Sequence, residues 1–211
     1  YCEVPSNPLL RCADLAAIGA LTRAHGVPLV VDDTVATSMN VDAYGFADLV
    51  TTSLTKYFSG VGDVLAGCVT VNGTSPLADQ LRPLIAGEAD TELAAEDAIA
   101  LARNSRNLHE RIERVNETAE PLVEWLQQQP LVDQVFYPTT QTREQYQAIR
   151  KSGGGYGGLF SFTLVNPEKS APAFYDAFEC SKGPSLGTNF SLACPYTLLA
   201  HYHELEWCAD L

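Results

Sequence analysis

Val27-Pro28-Leu29-Val30-Val31-Asp32-Asp33-Thr34 is the stretch that decides the fold. Five apolar residues run into two acids and a hydroxyl, the pattern of a strand buried on both faces that ends at a polar edge. In α/β sheets that carboxyl edge is where ligands bind. A turn or helix cap would also favour Asp, so the acids alone leave both readings open. Upstream, Asp14 is placed to cap a helix with Leu15, Ile18, Leu21 and Thr22 on one face, and Gly26 stops it. Downstream lie two more apolar segments, 47–50 ending in Thr51-Thr52-Ser53 and 66–71 closing on Asn72-Gly73. Strands separated by helical stretches predict an α/β fold with a mainly parallel sheet and crossover helices.

From about Thr91 the pattern changes. Leu101, Leu108, Ile112, Val115, Ala119, Leu122 and Leu126 form one apolar stripe along a very long helix. Pro121 lies inside it and is expected to kink or break it. The domain boundary is therefore placed there, with residues 1–120 in a larger domain that includes the long helix and residues 121–211 in a smaller α/β domain. That smaller domain is expected to hold a short strand near 131–136, a helix near 143–151, a strand over 159–164 and a closing helix over 201–211.

Of 211 residues, 46% are hydrophobic and 18% charged, which suits a globular chain with a sizeable core. Only 13 Lys and Arg stand against 26 Asp and Glu, for a formal net charge of −13. Such a chain repels phosphate backbones and anionic lipid, so neither nucleic acid nor a membrane is expected as a partner. Apolar runs such as 27–31 are far too short to span a bilayer. Six cysteines (Cys2, Cys12, Cys68, Cys180, Cys194, Cys208) are scattered without a Cys-x-x-Cys pair and read as free thiols of a cytoplasmic protein. No targeting pattern opens the chain. The only Met is Met39, and Tyr1 leads straight into a motif-like stretch, so a fragment of a longer protein is expected.

Twenty-four residues after Asp32 comes Ser53-Leu54-Thr55-Lys56-Tyr57-Phe58-Ser59-Gly60. A lysine bracketed by hydroxyls after an apolar strand can form a Schiff base while the hydroxyls hold a phosphate. Taken with Asp32, the segment offers a carboxylate for a pyridinium nitrogen, an amine for an aldehyde and hydroxyls for a phosphate. Those are three requirements of pyridoxal 5'-phosphate. Other motifs fall away. Gly153-Gly154-Gly155-Tyr156-Gly157-Gly158 satisfies G-x-G-x-x-G but precedes a strand instead of following one, the wrong order for a dinucleotide. His201 and His203 beside Glu204 and Glu206 invite a metal, yet on a helix residues two apart diverge and Trp207 stands where His-Glu-x-x-His needs its second histidine. No metal site is expected.

Glu3-Val4-Pro5-Ser6-Asn7-Pro8, Val31-Asp32-Asp33-Thr34 and Ser53-Leu54-Thr55-Lys56-Tyr57 resemble, in order and spacing, three blocks of the Cys/Met-metabolism pyridoxal-phosphate enzymes. Ser185-Leu186-Gly187 is similar to a later block of that family. Asp-Asp-Thr in place of Asp-Asn-Thr, with Ala95-Glu96-Asp97 and Arg103-Asn104-Ser105-Arg106, resembles its fungal cystathionine γ-synthase branch. The resemblance implies part of a fold-type-I large domain and roles residue by residue. Lys56 would carry the cofactor and shuttle protons, and Asp32 would hold the pyridine nitrogen protonated. Ser53 and Thr55 would bond the phosphate. Asn7 would reach the ring hydroxyl and the substrate carboxylate, and Ser185 would help hold that carboxylate. It further implies small amino-acid substrates, a homo-oligomer built as a dimer of dimers, and γ-replacement of an O-acylhomoserine with cysteine to give cystathionine. A γ- or β-lyase on the same scaffold is the alternative, and an inactive truncated or interaction subunit the alternative of another class. Gly60-Val61-Gly62-Asp63 departs from the family's Gly-His-Ser-Asp, and Glu92–Glu96 stands where many relatives have Gly-x-x-Thr-Leu. Relatives carry a ring-stacking Tyr and a phosphate loop upstream of this chain, and a carboxylate-clamping Arg downstream. The 211 residues alone are therefore expected to be inactive.

Overall fold

Four strands in the order β1 (Cys2–Glu3), β2 (Val30–Asp32), β3 (Leu49–Ser53) and β4 (Gly67–Val71) make the main sheet. The structure is a computed structural model that describes residues 1–88 and 93–209. β1, β2 and β3 run parallel, with Glu3 opposite Asp32 and Asp32 opposite Thr51. β4 is antiparallel to β3, with Ser53 opposite Gly67. Crossover helices therefore do not serve every connection. Between β3 and β4 the chain makes one π-helical turn, Leu54–Phe58, and a loop without a crossover helix, and β4 returns antiparallel.

Helix α1 (Leu15–Ala24) starts where expected, its first turn capped by the Asp14 carboxylate accepting from the Ala17 N–H at 3.0 Å. Gly26, at φ +63, takes the left-handed turn that ends it. Leu15 and Gly19 are buried, whereas Leu21 is 61% exposed, because it lies well round the helix from Leu15. The apolar run after α1 is half the strand expected: only Val30–Asp32 joins the sheet, and Val27 is exposed.

After α2 (Ala78–Glu88), the expected long helix comes in two pieces, α3 (Ala95–Asn104) and α4 (Leu108–Leu126), joined by a tighter turn at Ser105–Asn107. Leu101, Ile112, Ala119 and Leu126 of the apolar stripe are buried, but Val123 takes the inward place expected for Leu122. Pro121 does not end α4. Its missing N–H costs one bond to the carbonyl four residues back, while buried Ala119 and Val123 hold the helix to one core cluster on either side. The segment around Thr91, where this helical pattern was expected to begin, lies partly outside the described residues.

Beyond come β5 (Val132–Phe136), α5 (Arg143–Ile149) and β6 (Ser161–Leu164), the two strands pairing antiparallel. Then follow α6 (Pro167–Ala177), the short parallel pair β7 (Ser181–Lys182) and β8 (Leu192–Ala193), α7 (Tyr196–Ala200) and α8 (Leu205–Ala209). The closing helix is thus broken: a tight turn at Tyr202–Glu204 separates α7 from α8, His201 lies between helices with Nδ1 2.8 Å from Glu204 Oε2, and residues 210–211 lie outside the described residues. The core is continuous across residue 120, since Val4, Leu29, Val31 and Val50 share one cluster with Ala119, Val123, Tyr137, Tyr146 and Tyr156. Cys2, Cys12, Cys68, Cys180 and Cys194 are free thiols, of which Cys12 is buried, and Cys208 is not among those whose side chains are described. Among the described residues, no helix is long and apolar enough to cross a membrane.

Residues 153–158 have a structural task. The N–H groups of Gly155 and Gly157 donate to the Asn40 and Asn116 side chains at 2.9 and 3.0 Å, and the Tyr146 and Tyr137 hydroxyls donate to the Gly155 and Gly157 carbonyls at 3.0 and 2.7 Å. A Cβ on Gly154 would strike the Asn40 backbone, and one on Gly155 the Asn116 side chain. The glycines let this run of backbone pass through a crowded interior.

Candidate active site

The strand register builds the site. Glu3, Asp32, Thr51 and Val69 form one row across the sheet, and residues in register share a face. Asp32 ends β2, so its carboxylate stands at the carboxyl edge, where Oδ2 accepts from the Tyr1 hydroxyl at 2.7 Å and Oδ1 from the Thr34 N–H at 2.9 Å. Burial, then the bond to Asp32, pushes the Tyr1 phenol up to about 12. Ser53 ends β3 two residues beyond Thr51 and so faces the same way; its N–H donates to the Thr34 hydroxyl at 2.7 Å. Thr51 Oγ1 is buried with no hydrogen-bond partner among the described residues.

Asp33 has turned to the opposite face, as the two-residue period of a strand requires. It is 1% exposed and accepts from the Thr52 hydroxyl at 2.5 Å. Burial raises the Asp33 carboxyl above the usual carboxylate range, and the Thr52 bond only partly offsets this.

Lys56 lies three residues past the end of β3, in the π-helical turn, where its ψ of −125° departs from helical values. The Ser59 N–H returns to the Leu54 carbonyl at 3.0 Å and the Gly60 N–H to that of Lys56 at 2.8 Å. The lysine Nζ donates to Ser185 Oγ at 3.3 Å, across 129 residues of chain. Gly187 makes this approach possible: at φ +75 it sits so close that an added Cβ would lie 2.9 Å from the Lys56 carbonyl carbon. The Asn189 N–H donates to the Gly60 carbonyl at 2.6 Å, tying the same loop down. Behind the turn, the Asn104 amide donates to Ser59 Oγ at 3.0 Å and to Asp63 Oδ1 at 2.8 Å.

Asp32, Ser53, Lys56 and Ser185, all named from sequence, thus gather around the carboxyl edge. Two others behave differently. Thr55 turns its hydroxyl to the Ala66 backbone, accepting from its N–H at 3.0 Å and donating to its carbonyl at 3.3 Å. Asn7 follows β1, its N–H donating to Glu3 Oε2 at 3.3 Å, and no hydrogen bond joins its side chain to Lys56 or Ser185 among the described residues. Thr51 and Asn104 were missed by sequence reasoning. Strand alternation placed Thr51 on the face of Ser53, a usable signal, whereas nothing local to Asn104 announces a partner 45 residues away.

A model of the family described as Cys/Met metabolism PLP-dependent enzymes matches residues 1–204, and the chain belongs to that family. It is 46% identical over 208 residues to the cystathionine γ-synthase of Neurospora crassa, covering 98% of this chain and 33% of that protein. To the cystathionine γ-synthase of Saccharomyces cerevisiae it is 40% identical, covering 100% of this chain and 34% of that protein. The crystal structure of cystathionine γ-synthase from Xanthomonas oryzae pv. oryzae in complex with aminoacrylate and cysteine superposes with a TM-score of 0.87 at 30% identity, covering 99% of this chain and 54% of that one. The chain spans about a third of the length of these curated relatives. The family's cofactor fits the residues present: the Lys56 amine, the strand-end carboxylate of Asp32 and the hydroxyls of Ser53 and Thr51, the latter buried without a partner among the described residues, lie toward one edge of the sheet.

Proposed function

We propose that this chain is the lysine-bearing part of a longer polypeptide that replaces the γ-acyloxy group of an O-acylhomoserine with the sulfur of cysteine, giving cystathionine and a carboxylic acid. The observation that carries the reading is Lys56 Nζ held at the Ser185 hydroxyl, on the edge where Asp32 and Ser53 end their strands. The likeness to the cystathionine γ-synthases of Neurospora crassa and Saccharomyces cerevisiae supports γ-replacement over C–S cleavage. Pyridoxal phosphate, once bound, supplies an electron sink that makes the substrate's α- and β-protons removable. Lys56 Nζ would take the α-proton and then move the β-proton, with Ser185 Oγ fixing its direction. Asp32 would keep the pyridine nitrogen protonated through charge and a hydrogen bond. Ser53 would bond the phosphate, joined by Thr55 once its hydroxyl exchanges the Ala66 carbonyl for a phosphate oxygen. Asn7 and Ser185 would hold the substrate carboxylate.

Residues 1–120 would then belong to the larger, cofactor-binding domain and 121–211 to a smaller one, with the buried cluster that crosses residue 120 as their contact. The working protein would be a cytoplasmic homo-oligomer, a dimer of dimers, with small amino acids as its partners. Cysteine plus O-succinyl- or O-acetylhomoserine, supplied to the complete polypeptide, should yield cystathionine. Release of ammonia and a 2-oxo acid from cystathionine, with no synthesis, would replace this reading by a lyase.

A further inference from the structure

Arg111, near the start of α4, reaches back to the lysine turn with its whole guanidinium. Its Nη1 donates to the Tyr57 carbonyl at 2.8 Å and its Nη2 to the Phe58 carbonyl at 3.0 Å. Nη2 also approaches the Asn104 carbonyl at 3.3 Å, and Nε donates to Asn107 Oδ1 at 3.0 Å. No carboxylate forms an ion pair with Arg111 among the described residues, so its donors go to backbone and amide oxygens. Two successive carbonyls at the end of a turn are acceptors left over by the local hydrogen bonding, and a planar fork matches two of them at once. Gly60 completes the fit. At φ +74 its missing side chain leaves the space the guanidinium fills, and a Cβ there would run into it.

The Lys56–Tyr57 peptide is therefore gripped from two sides. Gly187 packs against it from the Ser185 loop, and Arg111 holds the next two carbonyls from α4. The turn itself gives this peptide one hydrogen bond, from the Gly60 N–H to the Lys56 carbonyl at 2.8 Å, and the non-helical ψ of Lys56 interrupts the regular helical pattern on either side of it. We propose that Arg111 is the positioning residue for Lys56: by clamping the Tyr57 and Phe58 carbonyls it sets where the lysine amine stands against Ser185 and the sheet edge. This rests on Lys56 being the proton-moving amine of the proposed function.

The test uses the complete polypeptide with Arg111→Met and Arg111→Lys. In the cofactor-free protein, amide hydrogen exchange read by mass spectrometry should quicken at least tenfold in the peptide containing Ser59 and Gly60 of Arg111→Met, with exchange elsewhere unchanged. In the loaded protein, kcat should fall about 10- to 100-fold with KM nearly constant, the signature of a misplaced reacting group. Borohydride trapping of pyridoxal phosphate on Lys56 should slow in parallel. Arg111→Lys, which offers a point charge and no fork, should recover only part of the loss. Wild-type exchange and wild-type kcat in Arg111→Met would overturn the inference. Should Arg111→Met fail to fold, Arg111→Lys decides by the same measurements, and wild-type values there overturn it too. A wild-type protein that takes up no pyridoxal phosphate defeats the proposed function instead, while the exchange comparison still reads the clamp.

Discussion

The lysine turn and the glycine run at 153–158 are held by the same helix, α4, and acquire opposite characters. Arg111 grips carbonyls of the first, and Asn116, five residues on, grips an N–H of the second. The middle of the glycine run, residues 154–157, is buried and its described polar contacts are internal: amides, tyrosine hydroxyls and the Arg150 guanidinium bond its backbone. The lysine turn is fixed along its backbone, but its amine stands at the open edge with one hydrogen-bond partner among the described residues, at 3.3 Å. A held backbone with an exposed amine suits the proposed reactive site, whereas a held backbone whose polar groups are paired internally suits a spacer.

Removing the head group tests the contrast most severely. Lys56→Ala in the complete polypeptide should cut turnover by about 10⁴-fold, the upper range for a proton-transferring group. Borohydride reduction and peptide mapping of the wild type should find the pyridoxyl label on Lys56, and a label on Lys151 would break the assignment.

Next in size is Asp32→Asn, which takes away the charge proposed to face the ring nitrogen and should slow α-proton exchange about 10²- to 10³-fold. Asp33→Asn should stay near wild type, because Asn keeps an acceptor for the Thr52 hydroxyl on the far face. The reverse ranking would put the cofactor on the wrong side of the sheet.

The spacer should respond in stability, not in chemistry. Gly155→Ala drives a methyl into Asn116 and should cost about 1–3 kcal/mol by overpacking, measured by urea unfolding, with trapping at Lys56 unchanged in the folded fraction. Loss of trapping without loss of stability would erase the distinction between the two regions.

The smallest effect concerns pH. Burial raises the folded Asp33 carboxyl above its unfolded value, so its contribution to stability is fully present below the ordinary aspartate range, near pH 4, and is lost as pH rises through the folded value. The stability of wild type relative to Asp33→Asn should therefore decline from pH 4 upward. A difference that grows with pH would mean the carboxyl is stabilised in its charged form.

What could be read from sequence follows the range of the forces involved. The Asp14 cap, the Gly26 stop and the strand-end positions of Asp32 and Ser53 rest on contacts within a few residues, and strand alternation alone separates Asp32 from Asp33. The reversed direction of β4 is not written in its hydrophobic pattern, which is the same for a parallel and an antiparallel strand. Leu122 yields its place to Val123, and Pro121 stays in a helix, because packing against the core outweighs local preference. The roles of Arg111 and Asn104 were invisible for the same reason, since their partners in and beside the lysine turn lie 41 to 54 residues away.

The bond between Lys56 and Ser185 also sets a clock. During synthesis the lysine leaves the ribosome 129 residues before the hydroxyl that steadies it. At translation rates of about 5–20 residues per second, that delay is roughly 6 to 26 s. Throughout that interval the turn lacks Gly187 and Asn189 as well, and of its later partners Asn104 and Arg111 are in place before the Ser185 loop is made. The final geometry of the lysine turn therefore waits on the last quarter of this chain, and the order of translation becomes part of the site's assembly.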